Sequence, residues 1–179
     1  MLEKIIIAGF GGQGVLLIGK LIAMAGASTG KNVTWLPAYG PEKRGGFANC
    51  SVIVSDEKIT SPFVTKATSA IIMNDAAFDQ YEDMVIPDGS LFINSSNVTK
   101  KSSRNDINIY YIPCVDIANE VGSAKTANIV MLGAFLGKIK CVTNDEVLEA
   151  LLESLGQGKE KLIPINKKAI EMGAQAVYK

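Results

Sequence analysis

Lys4-Ile5-Ile6-Ile7-Ala8-Gly9-Phe10-Gly11-Gly12-Gln13-Gly14-Val15 decides the fold of this chain. Lys4 to Ala8 is an almost unbroken apolar run, the pattern of a strand buried on both faces rather than one alternating toward water. The run stops in a glycine cluster, and from Val15 to about Ser28 apolar residues return at helical spacing. Strand, tight turn and helix in that order open a βαβ unit. Lys31 to Pro37 reads as the second strand, closing the unit within the roughly 30 residues such a unit takes.

Beyond it, Ala38 to Ala48 is a long polar, glycine-rich loop, and Asn49 to Ser55 reads as a strand. Asp56-Glu57 makes a turn after which Lys58-Ile59 returns as a hairpin. Ser69 to Met73 is a buried strand, with Asn74 or Asp75 capping a short helix that carries Phe78 and Tyr81. Pro87-Asp88-Gly89 is a turn, and the strands Leu91–Asn94 and Ile107–Ile112 flank a solvated stretch, Ser95 to Asp106. The remainder is mostly helical: Lys125 to Lys138, a helix opened by the capping box Thr143/Glu146 and stopped at Gly156, and a last one from about Pro164 to Val177. The alternation predicts a single α/β domain over 1–179, a Rossmann-like doubly wound, mostly parallel sheet with room for a β-hairpin excursion.

Composition narrows the function. Lys plus Arg equals Asp plus Glu at 18 each, so no overall positive field draws the chain to nucleic acid or anionic membranes. The N-terminal apolar run is too short for a span and unlike a signal peptide, which predicts a soluble cytoplasmic protein. Cys50, Cys114 and Cys141 are scattered, without a Cys-x-x-Cys pair, and the chain has no histidine. A disulfide framework, a cluster ligated by this chain alone and imidazole acid–base or zinc chemistry are therefore not expected. Cys114, with no histidine to activate it, reads as a small buried side chain near a helix start. Trp35 and Phe135 read as core or interface mass, and Lys100, Lys101 and Arg104 as a solvated loop face.

Gly9-Phe10-Gly11-Gly12-Gln13-Gly14 satisfies G-x-G-x-x-G directly after a strand and before a helix. The glycines permit a tight turn and a close approach of backbone amides to a phosphate, and the helix N-terminus adds a partial positive charge. A dinucleotide site also wants an acid ending the second strand, which here ends in Thr34-Trp35-Leu36-Pro37-Ala38. Ordinary NAD binding is thereby disfavoured; an anion site and a glycine turn kept for packing both stay open. The second loop, Ala38 to Phe47, follows the second strand and belongs to the same sheet edge. Its Arg44-Gly45-Gly46 offers a guanidinium fork beside exposed amides, suited to a carboxylate or phosphate, or else is a solvated surface loop.

Gly9-Phe10-Gly11-Gly12-Gln13-Gly14-Val15 and Tyr39-Gly40-Pro41-Glu42-Lys43-Arg44-Gly45-Gly46 together resemble two motifs of the gamma subunits of 2-oxoacid:ferredoxin oxidoreductases, also met as a fused domain in pyruvate versions. The likeness continues through Ile59-Thr60-Ser61-Pro62 and Asn128-Ile129-Val130-Met131-Leu132-Gly133-Ala134 and covers most of the chain; Ala38 and Lys43 fill variable positions. The resemblance implies a subunit of an enzyme that decarboxylates a 2-oxoacid on thiamine diphosphate, passes electrons through iron–sulfur clusters to ferredoxin and forms acyl-CoA. It implies alpha and beta partner chains holding diphosphate and clusters, with a ferredoxin-like delta chain in some forms, and no catalytic residue in this one. Gly9, Gly11, Gly12, Gln13, Gly14, Tyr39, Arg44, Gly45 and Gly46 become the candidate edge for coenzyme A phosphates or a partner's acidic loop. Asn128 is either polar glue at that edge or a helix-surface residue. Length and the Tyr39-Gly40-Pro41 form favour 2-oxoglutarate or a branched-chain oxoacid. The competing readings are a stand-alone Rossmann enzyme or sensor using NAD or a flavin nucleotide, and a pure assembly module.

Overall fold

The computed structural model describes residues 1–40 and 46–178. The strands are β1 (Leu2–Phe10), β2 (Asn32–Tyr39), β3 (Phe47–Ser55), β4 (Ala67–Ile72), β5 (Val85–Asn94) and β6 (Asn108–Ile112), and the helices are α1 (Val15–Ser28), α2 (Asp75–Tyr81), α3 (Cys114–Val121), α4 (Ala127–Lys138), α5 (Asn144–Leu155) and α6 (Ile163–Ala176). One sheet has the order β2-β3-β1-β4-β5-β6. β1, β4, β5 and β6 pair in parallel, and β3 runs antiparallel to both β1 and β2.

Two strand readings are corrected here. The second strand does not lie beside β1, because β3 is inserted between them. The hairpin exists, yet it joins β2 to β3; Lys58 and Ile59 form no strand. The glycine-rich loop is shorter than Ala38 to Ala48, since Ala38 and Tyr39 still pair with Asn49 and Ala48. Pro87-Asp88-Gly89 sits inside β5 as a bulge: Ala67 faces Val85 while Ser69 faces Ser90, and Asp88 takes a positive φ of 63°. Asn74 is the cap of α2, its side chain accepting from Ala77 N at 2.8 Å, and the Thr143/Glu146 capping box is present.

The helices are shared unequally between the two faces of the sheet. Ile5, Ile7, Val52, Val54, Ile71 and Phe92 point to one face, where α1, α3, α4, α5 and α6 bury them. Ile6, Ala8, Ile53, Ala70, Ile72 and Leu91 point to the other, covered by α2 with Val64 and Val98 from irregular connections. The alternation follows from the two-residue period of each strand. α4 and α6 cross with almost no side chain between them: a Cβ on Gly133 would land on the Ile170 carbonyl, and one on Gly173 on the Val130 carbonyl. Phe135 is fully buried, as core mass, whereas Trp35 stays partly exposed on β2.

Candidate functional site

At the carboxyl ends of the parallel strands the chain divides. α1 leaves β1 toward the five-helix face, and α2 leaves β4 toward the opposite one. The neighbouring ends of β1 and β4 thus form a switch point, the place where open α/β sheets leave a crevice for ligands.

The glycine loop lies on this crevice and is held from within. Gln13 Oε1 accepts from Phe10 N at 2.7 Å and from the Asn74 side chain at 3.3 Å, and Gln13 Nε2 donates to the Met73 carbonyl at 3.0 Å. One amide side chain therefore ties the end of β1 to the end of β4. A Cβ on Gly9 would fall 2.6 Å from Gln13 Oε1 and 2.8 Å from Met73 Cβ, so this glycine is demanded by close packing. Gly14 is demanded twice over: its φ is +76°, and Asn128 lies against its Cα. No side chain caps the N-terminus of α1, whose N-cap is Gly14.

The two loops meet. Gly11 N donates to the Gly46 carbonyl at 2.8 Å, and Gly40 N donates to the Phe47 carbonyl at 2.7 Å across the base of the hairpin. Tyr39 is three-quarters exposed beside them. Arg44 and Gly45, like Pro41 to Lys43, lie outside the described residues.

Beside the glycine loop opens a cleft of about 300 Å³ lined by Gly12, Gln13, Gly14, Met73, Asn94, Asn97, Val115, Ala124, Lys125, Ala127 and Asn128. Asn128 is not a helix-surface residue: it is buried against Gly14 at the start of α4. Asn94, Asn97 and Lys125 escaped the sequence reading as site residues. The signal for Asn94 was present, because a polar residue closing the buried run Leu91–Asn94 marks the carboxyl end of a strand. Asn97 follows Asn94 in the turn that ends β5, its N donating to the Asn94 carbonyl at 3.0 Å, whereas Lys125 is brought here only by tertiary packing.

Other titratable groups serve the fold. Burial pushes the thiols of Cys50 and Cys141 up to about 12 and raises that of Cys114 too, so none is a thiolate nucleophile at neutral pH. Lys100 pairs with Asp79, and Arg104 donates to the carbonyls of Glu82 and Val85 while pairing with Asp106 at 2.6 Å. Lys100 and Asp79 stay exposed, as a solvated loop face requires, whereas the half-buried Arg104 braces the start of β5. Among the described residues no group of three or more His, Cys, Asp or Glu gathers to hold a metal, so they do not fit an iron–sulfur cluster. The Asp88 bulge lies at the amino end of β5, away from the cleft. No helix among the described residues is long and apolar enough to cross a membrane.

Among the described residues the glycine-loop crevice gathers hydrogen-bond donors from the carboxyl edge of a mostly parallel sheet, which defines an α/β domain with a ligand-accepting edge. The family model of pyruvate ferredoxin/flavodoxin oxidoreductase matches residues 4–176, and the chain belongs to that family. The ketoisovalerate oxidoreductase subunit VorA of Methanothermobacter thermautotrophicus is 36% identical over 172 residues, 96% of this chain. The chain spans only 36% of that relative's length. The 2-oxoglutarate synthase subunit KorC of Methanocaldococcus jannaschii is 35% identical over 164 residues, covering 90% of this chain and 88% of the relative. The crystal structure of a keto/oxoacid ferredoxin oxidoreductase gamma subunit from Geobacter sulfurreducens PCA superposes with a TM-score of 0.82 at 29% identity, covering 98% of both chains.

Proposed function

We propose that this chain is the gamma subunit of a 2-oxoacid:ferredoxin oxidoreductase and contributes the junction between subunits on the coenzyme A side. The observation that carries the reading is the tie between the two glycine loops, Gly11 N to the Gly46 carbonyl, which places both motifs on one donor-rich edge beside the cleft. Thiamine diphosphate and the clusters then belong to alpha and beta partners, with ferredoxin as the acceptor of the assembly. Coenzyme A would supply the thiol that carries away the acyl group. The residues suited to hold its phosphates are Gly12, Gly14 and the uncapped start of α1, with Arg44 from the neighbouring loop.

The relatives named for ketoisovalerate and 2-oxoglutarate support a branched-chain oxoacid or 2-oxoglutarate as substrate, with selection made mainly on partner chains. Three unpaired cysteines, all buried, support a reducing cytoplasmic setting. An Arg44→Ala variant tests the edge: it is expected to weaken complex assembly or raise the coenzyme A concentration needed for turnover. If both were unchanged, the edge would have no such role.

A further inference from the structure

We infer that a cleft at the amino edge of the sheet, at the far end of β1 from the glycine loop, docks an extended segment of a partner subunit in which acidic and apolar side chains alternate. The cleft measures about 330 Å³, and no residue of α2 lines it. Leu2 and Lys4 of β1 stand opposite Ser55 and Ile53 of β3. Their side chains therefore share the thinly covered face of the sheet and form the floor.

The connection 57–63 forms the wall, held by two short turns. Ser55 Oγ accepts from Glu57 N at 3.0 Å, and Ser61 Oγ accepts from Phe63 N at 3.3 Å. Ile59 packs inward against the cluster of Ile6 and Ile53, whereas Phe63 is 68% exposed and Leu2 52%. An aromatic ring and a leucine left open beside one cleft make the kind of apolar patch that marks contact with another chain.

Charge narrows the occupant. Lys4 and Lys58 line the cleft against a single acid, Glu57. Among the described residues neither lysine belongs to an ion pair. The methylene stem of Lys4 runs beside Ile53, while its ammonium stays in water. Two unpaired ammonium groups over an apolar floor suit carboxylates flanked by apolar side chains. A small carboxylate held inside would leave Leu2 and Phe63 open, whereas a polypeptide crossing the cleft covers both. A second copy of this chain is disfavoured, because a twofold contact would set two cationic clefts face to face. That the segment belongs to a partner subunit rests on the proposed function; the preference of the cleft for that chemistry does not.

The test titrates the full chain with blocked hexapeptides alternating Glu with Leu, Lys with Leu, and Glu with Ser, and follows amide NMR shifts at Lys4, Ile53 and Lys58–Phe63. Saturable shifts with the Glu–Leu peptide, with Kd below about 1 mM, and none with the other two are expected. Phe63→Ser, at an exposed position, should raise Kd about tenfold and Lys58→Glu about fivefold, while Glu57→Gln should lower it about twofold. In affinity purification from the native cell, the Lys58→Glu/Phe63→Ser double variant should retain about threefold less of the partner chains. No saturable shifts, an equal response to the Lys–Leu peptide, Kd unchanged in both Phe63→Ser and Lys58→Glu, or full partner retention by the double variant would overturn the assignment. Shifts at the same amides that grow with protein concentration alone would overturn it in favour of self-association. A wild-type chain that carries no partner would overturn the occupant together with the subunit role, and the peptide titration would still decide the cleft.

Discussion

Where α4 crosses α6 the chain packs backbone against backbone, whereas Trp35 to Tyr39 on β2 are all exposed. The first region leaves no room for a methyl group. In the second, side chains on both faces of an edge strand are open to solvent. Pairing along the hairpin deepens the contrast. The Gly40 N–Phe47 O bond sets the ladder so that Lys- and Gly-free positions 33, 35, 37 and 39 turn their backbone groups to the open edge, and Pro37 removes one donor there. Strand addition is thereby discouraged, while Leu36 and Tyr39 remain available for side-chain packing. Between these extremes lies the glycine loop, rigidly tied on its inner side and open on its outer one. Close packing and exposed apolar surface thus fall in different parts of the chain, so substitutions should separate stability from partner retention.

The largest effect is expected at the crossing. Gly133→Ala or Gly173→Ala forces α4 and α6 apart and should cost about 3 kcal/mol, read by urea denaturation. A cost under about 1 kcal/mol would mean the crossing is looser than described. Gln13→Leu removes the side-chain tie between the ends of β1 and β4 and strands Phe10 N and the Met73 carbonyl, which should cost about 2 kcal/mol in the same assay. Asn74→Ala deletes the α2 cap and should cost about 1 kcal/mol. At the other end of the scale, Leu36→Ser and Tyr39→Ser should move stability by less than about 0.5 kcal/mol yet reduce retention of partner chains in affinity purification. Loss of stability without loss of partners would reverse the comparison.

The buried thiols add a pH dependence. Their folded-state values lie above the ordinary thiol value of about 8.5, with Cys50 and Cys141 at about 12. The folded chain thus keeps protons that the unfolded chain releases. Stability is full below about pH 8.5 and falls as pH rises from there toward 12. Iodoacetamide at pH 8 should leave all three cysteines unmodified in the folded chain and alkylate all three in urea.

Much of this was legible in the chain because local rules wrote it. The apolar run before Gly9, the Asn74 cap, the capping box at Thr143 and the Gly156 stop each act within a few residues, and each took its expected place. The β3 insertion was not legible, because pairing order depends on contacts between Leu2–Phe10 and Phe47–Ser55, far apart in sequence. Asn49–Ser55 reads as a strand, but nothing local says whether its partner lies before or after it. At the candidate site the glycine motifs stood out by spacing. The asparagine lining did not, since Asn94 and Asn97, from the turn that ends β5, meet Asn128 of α4 only in the fold.

The central claim is tested most directly by purifying the tagged chain from its native cell and assaying 2-oxoacid-dependent ferredoxin reduction. Co-purification with larger chains carrying thiamine diphosphate and iron–sulfur clusters is expected, with coenzyme A-dependent activity on 2-oxoisovalerate or 2-oxoglutarate that disappears when this chain is isolated. A chain that purifies alone and turns over a substrate with a bound nicotinamide or flavin nucleotide would contradict the account.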